Sequence, residues 1–184
     1  STFTNNTATA SGGAAYASGV NAGLHFTDGC VFTHNRAGAS GGAISVEDQA
    51  GLRIRDAVAR GNHRAALDGG FLFARFAAPI LFQNVSVADA AAVGGGGGAL
   101  AVYASKIALE GVHIEGCRAA VGGGALLLDG LAEAHLLGGC TVADNTAAAG
   151  GHVKLAASKL VVHGQDSAMI WPASTPIFPD AVVV

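Results

Sequence analysis

The chain has 184 residues, of which 51% are hydrophobic and only 12% charged, and its formal net charge is −3. It is long and apolar enough to bury a sizeable core, which excludes a disordered polymer, and it lacks the basic excess that gathers phosphates, so nucleic acid is not an expected partner. No apolar run reaches the roughly 20 residues that cross a bilayer, so this segment is not expected to insert into a membrane.

The first stretch, "STFTNNTATASGGAAYAS", places Phe3, Asn6 and the pair Gly12-Gly13 in an order that returns at once in "CVFTHNRAGASGGAISVED" as Phe32, Asn35 and Gly41-Gly42. Further Gly pairs follow at Gly69-Gly70, Gly97-Gly98, Gly123-Gly124 and Gly150-Gly151, so the six pairs are spaced by 29, 28, 28, 26 and 27 residues. A low-complexity Gly-rich chain would not keep that beat, whereas an ordered repeat requires it. Ahead of the pairs stand, in order, Asn6, Asn35, Asn62, Asp89, Cys117 and Asn145, and three residues before these lie Phe3, Phe32, Ala59, Ser86, Ile114 and Val142. Between one Gly pair and the next Asn runs an alternating segment: "LHFTD" at 24–28, "LRIRD" at 52–56, "ILFQN" at 80–84, "IALEG" at 107–111, "AHLLG" at 134–138 and "LVVHG" at 160–164. Alternation marks a half-buried strand, and an Asp/Asn/Gly column at its end marks a turn.

Each unit thus reads as three short strands with no helical period: one after the Gly pair, one alternating segment, and one ending in the Asn column. Stacked units of this kind predict an all-β, right-handed parallel β-helix of six to seven coils of about 27 residues. The bulky residue points inward, the Asn or Asp turns a corner or hydrogen-bonds the next rung, and the Gly pair makes a tight corner. The quintuple glycine 94–98 reads as an insertion lengthening one corner, not a phosphate cradle, since no helix follows it. Repeats cover residues 1–165. The Pro-containing segment 166–184 reads as a cap or linker that leaves the stack, anchored by Trp171 and Phe178. A chain opening at Ser1 inside a repeat is expected to be a fragment, with further β-helix or a partner chain ahead of it.

The residues that set the beat carry a resemblance. GGA followed by Ile, Leu or Val, alternating with FxxN, resembles the repeat of the polymorphic outer membrane protein family, and the coil type resembles the pectin-lyase-like superfamily. Phe3–Asn6, Phe32–Asn35 and Gly41–Ile44 match the repeat in full, and Gly97–Leu100 and Gly123–Leu126 match its Gly half; Phe71 and His152 stand where two other units lack the Ala. The resemblance implies a β-helical, extracellular or cell-surface passenger concerned with adhesion, and implies no catalytic residues.

Chemistry-bearing residues are sparse. Cys30 and Cys140 share a column too far apart for a disulfide, and all three cysteines, Cys117 included, read as packed thiols. Asn5-Asn6-Thr7 and Asn84-Val85-Ser86 are N-x-[ST] sequons, so Asn5 and Asn84 are glycosylation acceptors if the chain is secreted by a eukaryote. Asp28 and Asp56, stacked at a turn with Arg55 alongside, form the catalytic set of an alternative reading in which the chain is a carbohydrate-active β-helix acting on polysaccharide. The seven histidines share no column, which points to no metal site, and no motif calls for a cofactor. An irregular column of Thr27, Arg55, Gln83, Glu110, Leu137 and His163 argues against an ice-binding face. The expected function is a non-enzymatic structural or adhesion module of a larger surface protein. Its partners would be other protein chains, further repeats of the same chain, or glycans, met at Arg53, Arg55, Gln83 and Glu110. A structural component of a large intracellular assembly is a third reading.

Overall fold

The computed structural model describes residues 1–61 and 64–163, with the backbone alone of 168–169 and 181–183. Asn62, Trp171 and Phe178 lie outside the described residues. No helix occurs among those described, and every strand pairing is parallel. Over residues 1–163 the chain winds six times through three sheets, forming a parallel β-solenoid. From corner to corner the coils run over residues 1–28, 29–56, 57–84, 85–111, 112–139 and 140–163, numbered coils 1 to 6 below.

The alternating segments keep the register read from the sequence. Leu24, Leu52, Ile80, Ile107, Ala134 and Leu160 lie in one column. All of these but the half-buried Leu24 are buried, as are the alternate neighbours Ile54, Phe82, Leu109 and Leu136. This ladder and the one ending at the Asn column form a single twelve-stranded sheet, sheet I, so closely joined that Gly51–Arg60 and Ile80–Ala88 each run through both. Left-handed residues Asp28, Asp56, Asn84 and Gly111 make the bend; at Asp56 and Asn84 the strand runs on through it, whereas at Asp28 and Gly111 it breaks into two. Sheet III holds the strands after each Gly pair, from Ala15–Ser18 to Val153–Ala156. Between the Asn column and the Gly pair lies a ladder absent from the sequence reading: sheet II, beginning with Thr7–Ala8 and Arg36–Ala37. Three sheets per coil stand, with this different membership. Ala168–Met169 and Ala181–Val183 also pair onto sheet I, so part of the segment expected to leave the stack adds to it.

The Gly pair solves two separate problems. Gly41 has φ +63°, and a Cβ on it would collide with the carbonyl oxygen of Ile44, so the first position needs the left-handed freedom of glycine. The second position needs space: a Cβ on Gly70 would run into the backbone of Gly98 and Ala91 on the next coil. The run 94–98 is no insertion, because Val93 N donates to Ala65 O and Gly69 N to Gly96 O, which keeps the coils in step. Its glycines clear room for side chains of neighbouring coils, Asp68 over Gly95 and Leu127 over Gly96.

Two corrections concern the Asn column. Phe3, Phe32, Ala59, Val87, Ile114 and Val142 are the inward set, so Asp89 stands one residue too early and Ala90 occupies the column position. The left-handed backbone falls one residue before the column, at Asn5, His34, Gly61, Asp89, Gly116 and Asp144. Asn6, Asn35 and Asn145 take the other role expected of the column, turning inward and bonding between rungs. Asn6 N and Nδ2 donate to Asn35 Oδ1 at 3.1 and 2.8 Å, and Asn35 Nδ2 donates to Phe3 O at 2.9 Å. Asn145 repeats the pattern, accepting from Cys117 N at 2.9 Å and donating to Ile114 O at 3.1 Å.

Inside, aromatic rings climb from coil to coil. Phe3 stacks on Phe32 with ring centres 5.0 Å apart, and Phe26 meets both edge-on. The phenyl column stops at Ala59, and in that same coil Phe71 replaces the Ala of the GGA motif. Its ring lies 5.5 Å from Phe32 and 6.2 Å from Phe82 and is fully buried. The bulk lost on one wall of coil 3 is thus restored from the opposite wall, as close packing requires.

Candidate functional site

The expected partner surface lies on the outer side of sheet I. Arg55, Gln83 and Glu110 share one outward column and Arg53 the next. Gln83 Nε2 donates to Glu110 Oε2 at 2.8 Å, so half of this set is held in place across a rung. Arg55 bridges Asp28 at 3.6 Å and its chain neighbour Asp56 at 3.4 Å. Asp56 also accepts from Asn84 Nδ2 at 3.0 Å. The three residues of the alternative catalytic reading, Asp28, Asp56 and Arg55, are therefore together. Asp28 and Arg55 are 80% and 51% exposed, so water competes for both. Asn5 and Asn84 are both exposed on left-handed corners. Asn84 uses its amide toward Asp56, whereas no bond of the Asn5 side chain occurs among the described residues.

Further along sheet I a second polar cluster centres on Glu133. Its carboxylate receives Lys106 at 3.0 Å, His135 Nε2 at 3.0 Å and Lys159 at 3.6 Å. The Lys106 hydrogen bond, followed by that from His135, holds the carboxyl below the usual glutamate range. His135 also stacks on His163 with ring centres 5.2 Å apart, Nδ1 lying 2.9 Å from Nε2. Two of the histidines thus meet from adjoining columns. No cluster of His, Cys, Asp and Glu able to hold a metal occurs among the described residues.

All three cysteines are buried free thiols. Cys30 and Cys140 donate to the carbonyls of Thr27 and Leu137, each three residues back and each at 3.1 Å. Cys117, standing where other coils have Asn, donates to Glu115 O at 3.3 Å. Burial pushes the Cys117 thiol up to about 12 and raises Cys140 in the same direction, so neither is an activated nucleophile. On sheet III, Arg75 sits directly above the nearly buried Glu47 in an ion pair of 2.6 Å. Burial, reinforced by Asp68, pushes the Tyr103 hydroxyl well above its usual range.

One feature of the surface escaped the sequence reading. The outward position of sheet II reads Thr7, Arg36, Arg64, Ala91, Arg118 and Thr146 in successive coils. The three arginines line a groove of about 550 Å³ whose other walls come from His34, Gly61, Asp89 and Gly116. Arg36 and Arg118 directly follow column residues Asn35 and Cys117, but Arg64 stands two places after Asn62, and that one-residue slip hides the ladder from a fixed beat.

The fold and its surfaces define a class: a repeat-built, three-sheeted parallel β-solenoid whose motif residues face inward or make corners, and whose outer columns vary. Two of its coils match the Chlamydia polymorphic membrane protein (Chlamydia_PMP) repeat, over residues 1–18 and 29–47. Those segments hold the two complete FxxN motifs and the complete GGAI, so the repeat resemblance and the β-solenoid agree. No curated protein and no solved structure gives a significant match.

Proposed function

We propose that the chain is a non-enzymatic β-solenoid module of a larger surface or extracellular protein, serving as a scaffold that presents its side faces to other molecules. One observation carries the reading: motif residues are consumed by the architecture, while the outward columns differ from coil to coil. Phe32, Asn35 and Gly41 pack, bond or turn, and at the equivalent outward position of sheet I successive coils present Arg55, Gln83 and Glu110. The match to a membrane-protein repeat supports a surface setting. The faces would meet other protein chains, further repeats of the same chain, or glycans.

Two measurements test it together. Labelling intact cells of the native source with a membrane-impermeant reagent should tag this segment from outside. Purified chain incubated with pectate, alginate and glucan should release no new reducing ends. Labelling only after lysis would sink the surface reading, and turnover abolished by Asp56→Asn would replace the scaffold with an enzyme.

A further inference from the structure

We infer that the sheet II groove is a binding site for a linear sulfated glycan, laid along the solenoid axis and held by Arg36, Arg64 and Arg118. The inference extends the proposed scaffold role, resting on it only in taking a side face as a contact surface.

Elsewhere on this solenoid, stacked charges are offset by the opposite sign: Arg75 lies over Glu47, Glu133 sits between Lys106 and Lys159, and the stacked corner carboxylates Asp28 and Asp56 share Arg55. Sheet II does the reverse and puts Arg64 directly on Arg36, with Arg118 two rungs beyond. Like charges opposite one another in a sheet are unfavourable, and no ion pair to any of the three occurs among the described residues. All three are exposed. Among the described residues the groove therefore carries three guanidinium groups against one carboxylate, Asp89, in a chain whose net charge is −3. An anionic ligand would relieve that repulsion.

The ligand's shape follows from the spacing. Rungs about 4.8 Å apart place the arginines roughly 5, 10 and 15 Å from one another along a straight line, which suits an extended polymer with regularly spaced anions. Ala91 leaves the rung between Arg64 and Arg118 without a long side chain, so the floor dips there. The guanidinium fork matches the paired oxygens of a sulfate ester and, being weakly hydrated, loses little on leaving water for a weakly hydrated anion. Asp89 and His34 on the walls can exchange hydrogen bonds with sugar hydroxyls. Among the described residues the lining includes no Phe, Tyr or Trp, which argues against single-stranded nucleic acid, whose bases need stacking platforms. Nor do the described lining residues include the aromatic or large aliphatic anchors that centre a protein interface.

The test uses the 184-residue chain and immobilised heparin, with chemically desulfated heparin that keeps its carboxylates and an oligothymidylate as comparators. Heparin should bind, with affinity falling steeply as salt rises. Arg36→Ala, Arg64→Ala and Arg118→Ala should each weaken binding about tenfold, as expected for loss of a charge-assisted hydrogen bond, and the triple variant should abolish it. Arg53→Ala, on sheet I, should leave it unchanged, and the far-ultraviolet circular dichroism of every variant should match the parent. Undiminished binding by the triple variant, or an equal loss in Arg53→Ala, overturns the site. Equal affinity for the desulfated polymer overturns the sulfate assignment, and tighter binding of the oligothymidylate overturns the glycan. Because the measurement is made on purified chain, its failure leaves the cell-labelling result untouched.

Discussion

The inside and outside of this solenoid obey the same register with opposite consequences. Inside, stacking like on like is favourable: Phe32 lies on Phe3, and Asn35 accepts from Asn6 while donating to the backbone beyond it. Outside, the same rule places Arg64 on Arg36, where likeness is repulsive, unless a neighbouring coil offers the opposite sign, as Glu133 does between Lys106 and Lys159. Parallel in-register stacking amplifies whatever a column carries. Apolar and amide columns gain from it, and charged columns must alternate or find a counter-ion.

The strongest test of the inner half is Phe71→Ala, which empties the space left by Ala59 and should cost about 3–5 kcal/mol in urea unfolding. Adding Ala59→Phe, which continues the phenyl column, should recover at least half of that. No recovery would show that the two positions do not fill one volume. Next comes Asn35→Ala, which leaves Asn6 N and Phe3 O without their partner and should cost about 2 kcal/mol. A loss no larger than that of an exposed Asn→Ala control would deny the inward ladder its role.

The outer half gives smaller effects. Glu133 has its folded pKa held down, so its contribution is complete above the ordinary glutamate value of about 4.3 and disappears as pH falls through the lower folded value. Thermal melts from pH 6 to 3 should therefore decline less steeply for Glu133→Gln than for the parent; parallel curves would remove the cluster from the account. The smallest effect is expected of Arg64→Ala, a gain of a few tenths of a kcal/mol at low salt that vanishes at high salt. A loss of stability there would mean that the arginine column carries no repulsion.

Much of the fold was legible because a solenoid writes its geometry as a period. The six alternating segments align in the structure residue for residue, from Leu24 to Leu160, since alternation and a turn residue both mark them. Sheet II was not legible, because strands as short as Arg36–Ala37 show no alternation to read. Nor was the corner between sheets III and I, where Phe76 and Ala104 hold left-handed dihedrals without a Gly or Asn to announce them, and Ser105 supplies a hydroxyl to Ala77 N at 2.9 Å. Asp89 misled for a plainer reason: Asp resembles the Asn of the column chemically, but only the pairing partner Val87 reveals that it belongs one place earlier. Of the surface chemistry, the meeting of Arg55 with Asp28 and Asp56 could be read from the columns, whereas the arginine ladder could not, since it depends on where a single extra residue is absorbed.

The exchange between Ala59 and Phe71 lies wholly within coil 3. A segment cut out or doubled from the Asp56 corner to the Asn84 corner would carry both residues with it, together with its own Gly pair, and would present each neighbour with the same hydrogen-bonding edge as before. Unequal crossing-over in the gene could thus lengthen or shorten the rod by whole coils, about 4.8 Å at a time, without leaving a cavity behind. In such a molecule the coil is a unit of inheritance as well as of packing.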